Sequence, residues 1–377
     1  MVNDMNVVIE FIETIADGGA ESLVRDYATL VSNNEFKVVV VTIYPPLKTS
    51  ANYKILKQKG AEILSIIPDN RFNILYRVWN KLTRNRYIQQ RLLKIIQKLN
   101  AKSIHVHLSI LKHLKPIASQ LIGIKLFYTC HTIPSRLFNT NNNAKEFDAA
   151  KYLIKHNNLI LIALHDDMRV ELNEMFSVDN TIVVHNGVDV DRFANVPDCR
   201  KDILHMLNIP EDAFIIGHIG RFNIVKNHLF LLDIFDALKD KQSNAFLLMV
   251  GSGPLKEQVE QKILELGIQN RCKILEHRTD IPELLNAMDV FLFPSVLEGL
   301  PVTLVEAQVA NKRCVVSDTI TPECFFSPDV VPLSLSNTPQ QWADVVLDTN
   351  IKGVYQGDIS KFDMRNVVEH LREIYRS

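Results

Sequence analysis

The feature that most constrains this chain is an alternation. Short apolar runs, each the length of one strand, lead into a turn carrying glycine or proline and then into a helical pattern. Residues 7–15 (VVIEFIETI) run into Ala16-Asp17-Gly18-Gly19-Ala20 and a helical pattern over 21–31. Residues 214–219 run into Gly220-Arg221 and a helix over 229–239, and residues 245–250 into Gly251-Ser252-Gly253-Pro254 and a helix over 255–266. Residues 289–293 run into a Gly-Leu-Pro turn and another helix. Further strand-length runs fall at 37–43, 63–67, 103–108, 126–130, 159–163, 181–184, 272–275 and 314–317, with closing helices over 342–348 and 364–375. A continuously apolar strand needs cover on both faces, and a helix between successive strands gives parallel pairing. The expected class is therefore α/β, with doubly wound parallel sheets.

A chain of 377 residues is most naturally two such domains. Hydrophobic residues at 47% against 23% charged can fill two cores. The polar stretch 192–202 around Pro197 reads as the linker, giving domains 1–190 and 191–363. No apolar run approaches the roughly 18 to 20 residues of a membrane helix. Residues 1–6 lack the charged and apolar regions of a secretory signal, and the five cysteines show no metal-ligand spacing. Reduced thiols in a cytoplasmic protein are expected.

Charge is unevenly placed. From 70 to 145 there is no acidic residue against 14 Lys and Arg. Nine of these fall between Arg71 and Lys102, interleaved with Phe72, Leu75, Tyr76, Trp79, Leu82, Tyr87, Leu92, Leu93 and Ile96. The pattern predicts a basic amphipathic surface for an anionic membrane face, in preference to a merely solvated helix face or a nucleic-acid groove.

The chemistry concentrates in 295–307 (SVLEGLPVTLVEA). The spacing puts Glu298 on a strand-to-helix loop, Pro301 at the first helical position and Glu306 in the second helical turn. The N–H groups of Val302, Thr303 and Leu304 are then free at a helix N-terminus, a ready phosphate site. A loop carboxylate, an anion-binding helix end and a helix carboxylate together suit a sugar, a diphosphate and a ribose. The bland alternative is that the macrodipole alone favours acids near a helix start. Arg221 and Lys226 flank a second strand-to-helix loop. Arginine offers planar bidentate contacts and lysine a mobile point charge, which together suit a diphosphate leaving group. Gly18 and Gly19 let a ligand approach the backbone beside a third helix start, although no dinucleotide fingerprint is present. His131 is placed at the C-terminal end of a strand, where open α/β sheets bind ligands. His105 and His107, alternating on another strand, are weaker candidates. Asp189-Val190-Asp191 imitates a metal-binding D-x-D pair but has no other acidic ligands nearby in the sequence.

These residues, in this order, resemble the retaining glycosyltransferases of family 4. The resemblance runs through Gly18-Gly19-Ala20-Glu21, His131, Asn186-Gly187-Val188-Asp189, Gly220-Arg221 with Lys226-Asn227-His228, Gly251-Ser252-Gly253-Pro254, and the pair Glu298 and Glu306. The stretch from Pro294 to Thr321 looks most like the EpsF-type enzymes of exopolysaccharide and capsule assembly. The resemblance implies the GT-B fold, two Rossmann-like doubly wound domains facing a cleft, with a final helix (364–377) crossing back to the N-terminal, acceptor-binding domain. It implies a nucleotide-sugar donor, usually a UDP-sugar, and a saccharide acceptor, here expected to be lipid-linked. Arg221 and Lys226 would hold the diphosphate, Glu306 the ribose, and Glu298 the transferred sugar. Gly299, Leu300, Pro301, Val302 and Thr303 would complete the sugar and phosphate site, with Gly18 and Gly19 closing on it. His131 would lie beside sugar and acceptor, and the loop at His277-Arg278 would meet the nucleobase. No cofactor or metal and no nucleic-acid partner is expected, and the site of action would be the inner membrane face. A nucleotide-sugar epimerase, a phosphorylase or a non-catalytic donor-binding partner are the alternatives. Two positions depart from the family pattern: Asn311-Lys312-Arg313 stands where Gly-x-Pro is usual, and His165 where serine is common. Asparagine tolerates the left-handed conformation that a helix C-terminus needs.

Overall fold

The computed structural model describes residues 5–67, 81–138, 143–276 and 278–377, excepting the side chains of 81 and 82. The chain forms two compact units, residues 1–186 with 365–377, and residues 187–364.

In the first unit, β1 (Asn6–Ile12), β2 (Phe36–Thr42), β3 (Glu62–Ser65), β4 (Ser103–His107), β5 (Lys125–Thr129), β6 (Ile160–Ala163) and β7 (Ile182–Val183) form one sheet. Their order is β3-β2-β1-β4-β5-β6-β7, and every pairing is parallel. The order reverses between β1 and β4, which makes their C-terminal ends the topological switch point. Helix Gly19–Leu30 starts beside the end of β1. Valine, isoleucine and phenylalanine fill both faces of β1 and β2, as burial on two sides requires. Helix Met364–Arg376 closes the unit: Arg372 donates to the carbonyls of Leu30 (2.7 Å) and Val31 (3.2 Å), and Arg376 pairs with Glu35 at 2.8 Å.

The second unit repeats the plan with β8 (Phe214–Ile219), β9 (Ala245–Val250), β10 (Cys272–Leu275), β11 (Val290–Phe293), β12 (Arg313–Ser317) and β13 (Val330–Leu333). The order is β10-β9-β8-β11-β12-β13, again all parallel, with the switch point between β8 and β11. Strand β13 is unexpected from sequence. It has four residues, one of them Pro332. A proline lacks a ladder donor, and the edge position of β13 tolerates that.

The break between units falls at Gly187, earlier than the 192–202 stretch that composition suggests. The two ends of that stretch are helical instead, with residues 196–199 irregular between them. Asp189 caps helix Val190–Ala194 by accepting from the N–H of Arg192 at 3.2 Å, which gives the first D-x-D residue a structural role. Arg200, opening helix Arg200–Met206, donates to Asp289 at 2.9 Å and to the carbonyl of Ala213 at 2.7 Å. Both departures from the family pattern have local explanations. Asn311 takes φ +56° just past helix Val302–Val309. His165 caps helix Asp166–Phe176, its Nδ1 accepting from the N–H of Met168 at 3.3 Å, as a serine hydroxyl would.

Candidate functional site

In the second unit the loops after β8 and β11 are laced together at the switch point. The N–H of Val296 donates to the carbonyl of Val225 at 2.8 Å, and the Asn227 amide to the carbonyl of Pro294 at 3.1 Å. Asn227 itself sits at φ +56°, and Asn223 accepts from the N–H of Lys226 at 3.1 Å, so two asparagines shape the first loop. Gly251 supports it from β9. Its φ is +143°, and a Cβ there would lie 2.1 Å from the carbonyl oxygen of Gly220. The 251–254 stretch is therefore a close backbone approach that seats the Gly220-Arg221 loop, and more than the tight turn its sequence suggests.

This lacing sets Lys226 Nζ 2.7 Å from Glu298 Oε1, with the two side chains only 14% and 13% exposed. The ammonium also lies over the ring of Phe293, 4.4 Å from its centroid. Arg221 is exposed on the same loop and makes no ion pair among the described residues. Pro301 is the residue before the helix, one position earlier in role than the sequence spacing suggests, and helix Val302–Val309 follows. The N–H groups of Leu304 and Val305 both turn back to the carbonyl of Pro301, at 3.0 and 3.3 Å. Leu304 is thus removed from the expected trio, leaving Val302 and Thr303 without a backbone partner among the described residues. The hydroxyls of Thr303 and Ser295 are buried with no hydrogen-bond partner, an unusual state that a ligand could relieve. Gly299 and Leu300 are buried, and Glu306 is half-buried in the second helical turn.

Beneath the loop lie His218, which the sequence reading did not single out, and His228, which entered it only within Lys226-Asn227-His228. His218 and His228 pack edge to face with centroids 4.7 Å apart, and His218 stacks on Phe293. Burial pulls His228 down to about 4, with Lys226 adding to the effect, and pulls His218 well below the usual range. Both are neutral near pH 7, so the cations here are Lys226 and Arg221. Arg278, at the foot of β10, is engaged by Asp280 through its Nε at 2.7 Å. His277 lies outside the described residues.

In the first unit, Gly18 precedes helix Gly19–Leu30, and the space beside Gly19 is open. Asn52, also absent from the sequence reading, donates to the carbonyl of Ala16 at 2.8 Å and holds this turn. His131 follows β5. Its Nε2 lies 2.9 Å from His107 Nδ1, while His107 Nε2 lies 2.6 Å from Glu10 Oε2. Glu10 also accepts from the Tyr375 hydroxyl at 2.9 Å, whose oxygen lies 2.7 Å from His105 Nδ1. Glu10, His105 and His107 are wholly buried. A carboxylate in the middle of VVIEFIETI was the available signal, because a buried charge demands partners. Glu10, His105 and His107 bring possible metal-ligand atoms within 4.8 Å of one another. Their lone pairs and protons are directed along the hydrogen bonds just described, so the set fits a hydrogen-bond chain better than an ion.

Of the basic region, helix Lys81–Leu99 is described, while residues 71–80 lie outside the described residues. Its Ile88, Leu92 and Ile96 are buried within the protein. Arg86, Arg91, Lys94 and Lys98 are exposed. These three residues of the apolar stripe therefore serve the core, and the exposed basic side chains offer charge to solvent.

The two halves of the chain match two known family descriptions: residues 17–192 match Glycosyltransferase Family 4, and residues 200–344 match Glycosyl transferases group 1. EpsF of Bacillus subtilis (strain 168), whose name is that of a glycosyltransferase, is 31% identical over 250 residues, covering 65% of this chain and 65% of that protein. The match thus spans slightly less than two thirds of that relative. The UDP-Gal:alpha-D-GlcNAc-diphosphoundecaprenol alpha-1,3-galactosyltransferase of Escherichia coli is 28% identical over 309 residues, covering 75% of this chain and 77% of its own. The crystal structure of Anabaena Alr3699/HepE in complex with UDP and glucose superposes with a TM-score of 0.77 at 19% identity, covering 99% of this chain and 100% of that one. The chain belongs to the family 4 glycosyltransferases, and its two Rossmann-like units are those of the GT-B class.

Proposed function

We propose that this protein is a retaining glycosyltransferase that moves a sugar from a nucleotide sugar, a UDP-sugar, to a lipid-linked saccharide in surface polysaccharide assembly. One observation carries the reading: Lys226 pairs with Glu298 at the switch point of one sheet, on the loop that also carries Arg221, and the loop of Glu298 leads into the open N-terminus of helix Val302–Val309. The names of the Escherichia coli galactosyltransferase and of the UDP-bound Anabaena structure support the choice of donor and of lipid-linked acceptor.

When the bond between the sugar and the diphosphate breaks, positive charge grows on the sugar ring and negative charge on the departing phosphate. Arg221, Lys226 and the N–H groups of Val302 and Thr303 are preorganised to stabilise that phosphate. In this reading the departing phosphate oxygen accepts the proton of the attacking hydroxyl on the same face, which retains the anomeric configuration without a covalent enzyme intermediate. Glu298 then serves the sugar and Lys226 together, unlike the paired carboxylates of hydrolases. Gly299, Leu300 and Pro301 line the same turn, and Glu306 is assigned to the ribose hydroxyls. Arg278 is assigned to the nucleobase side. Gly18, Gly19 and His131, in the first unit, are assigned to the sugar and acceptor. No step in this scheme calls for a metal. Helix Lys81–Leu99 would hold the protein at an anionic membrane by charge.

The test is a screen of nucleotide sugars with lipid-linked saccharide acceptors, the product anomer being read by NMR. Glu306→Ala should abolish transfer while the protein stays folded. Near-normal turnover in that variant would sink the reading. Release of a C2-inverted sugar without acceptor would favour an epimerase, and phosphate-dependent glycan breakdown a phosphorylase.

A further inference from the structure

The chain of polar groups in the first unit has a direction. Glu10, His107 and His131 come from three adjacent places in the sheet: β1, the end of β4, and the residue pair after β5. Burial pushes the Glu10 carboxyl up, but the charge interaction with His105 and hydrogen bonds from His105 and His107 outweigh it, holding the carboxyl well below the usual carboxylate range. Glu10 is therefore an ionised, acceptor-only group. The 2.6 Å contact then requires His107 to donate from Nε2. Burial, with His105 adding to it, pulls His107 down to about 4 against the attraction of Glu10, so His107 is neutral near pH 7. A neutral imidazole that donates from one nitrogen accepts at the other. His107 Nδ1 must accept, and the 2.9 Å contact makes His131 the donor through Nε2. Burial is the main influence holding His131 well below its ordinary range, with His107 and His105 adding to it. Its Nδ1 is left with a lone pair. His131 is half-buried, whereas Glu10 and His107 are sealed in the core.

We infer that Glu10 and His107 are positioning residues that lock His131 as its Nε2–H tautomer, so that Nδ1 is presented as a hydrogen-bond acceptor for a carbohydrate hydroxyl. The carbohydrate part of this inference rests on the function proposed above. The geometry explains why a carboxylate stands in an otherwise apolar central strand. An isolated buried carboxylate is costly, and this one is held by donors from His107 and Tyr375. The arrangement follows the general logic in which a buried acid orients an imidazole that touches substrate. It also makes a chemical selection: a donor such as a hydroxyl suits the presented lone pair, whereas a carboxylate or phosphate oxygen is disfavoured there.

The experiment uses the whole protein labelled with 15N-histidine. Long-range 1H–15N correlation at pH 7 reports the protonation of each ring nitrogen, with His131 assigned by its loss in His131→Asn. The expected spectrum shows His131 protonated at Nε2 and bare at Nδ1. Two substitutions separate positioning from packing. His107→Gln keeps a donor toward Glu10 and an acceptor toward His131, and should retain kcat to within about threefold. His107→Leu removes both, and should average the His131 signal between tautomers and lower kcat at least about tenfold. The donor KM in His107→Leu should stay within about twofold. An Nδ1–H or doubly protonated His131 in the unmodified protein overturns the inference. So does an unchanged His131 signal in His107→Leu, or stoichiometric zinc retained by the protein and lost in that variant. Should His107→Leu fail to fold, the unmodified spectrum and His107→Gln decide. The spectrum needs no substrate, so its failure counts against the relay, while absence of transfer with a correct spectrum counts against the glycosyltransferase reading.

Discussion

Lys226 Nζ stands 2.7 Å from Glu298 Oε1, joining the loops that leave β8 and β11. Neither residue lies near the other in sequence, and the pair exists because the sheet order brings those two strands side by side. The ammonium is held against a carboxylate, over an aromatic ring and largely out of water; in the function proposed above it serves the departing phosphate and Glu298 the sugar.

Removing the lysine should separate its two roles. Lys226→Ala is expected to lower kcat/KM by about 10²- to 10³-fold, the scale of losing one preorganised charge-stabilising donor. It also leaves Glu298 desolvated without its cation, at about 1–3 kcal/mol of stability. Combining it with Glu298→Gln should return most of that stability, measured by urea unfolding, and none of the turnover. Restored turnover in the double variant would contradict the phosphate role.

Gly251 has no room for a side chain. Gly251→Ala places a methyl 2.1 Å from the Gly220 carbonyl oxygen at a φ of +143°. The strain should cost about 1–3 kcal/mol and displace the Gly220-Arg221 loop. Calorimetry with UDP should show weakened binding, while Gly267→Ala, with open space around it, should bind as the unmodified protein does. Equal UDP affinity in Gly251→Ala would separate that glycine from the site.

The exposed cations of helix Lys81–Leu99 should bind membranes by charge alone. Replacing Arg86, Arg91, Lys94 and Lys98 with glutamine is expected to weaken binding to anionic vesicles by roughly 1 kcal/mol per charge. Binding should also weaken steeply with salt. Sedimentation with phosphatidylglycerol vesicles measures it, and equal binding to neutral vesicles would refute the charge mechanism.

Acid should destabilise both units through buried neutral histidines. Burial pulls His113 down to about 4, with Lys112 and Arg84 contributing, and His228 to about 4, with Lys226 contributing. Each titrates near 6.5 when unfolded. Between pH 6.5 and 4 the unfolded chain therefore binds protons that the folded chain does not, and stability falls as pH falls. The contribution is whole above 6.5, and linkage limits the loss to about 3 kcal/mol per histidine. Urea midpoints at pH 7.5 and 5 should differ accordingly, with a smaller difference in His113→Gln. A flat profile would show that these histidines are protonated in the folded protein.

Local chemistry alone determined much of this molecule. Apolar runs of strand length alternating with helical patterns specify two parallel, doubly wound sheets, because such strands are stable only when covered on both faces. The strand-to-helix loops carrying Glu298, Arg221, Lys226 and Gly18 were legible for the same reason, since each follows directly from its strand. Asn311 at φ +56° was legible too, as a helix end that asparagine tolerates. Edge strand β13 was not, because four residues with a proline carry no periodicity and only the neighbouring β12 makes them a strand. The tertiary structure alone decided which groups meet. It turned Gly251 into a support for the cation loop and buried Ile88, Leu92 and Ile96 of the basic helix in the core. It also aligned Glu10, His107 and His131 across adjacent strands. Hydrogen bonds and ion pairs act over about 3 Å, and the sheet order that brings distant residues within that reach is set by the packing of the whole unit.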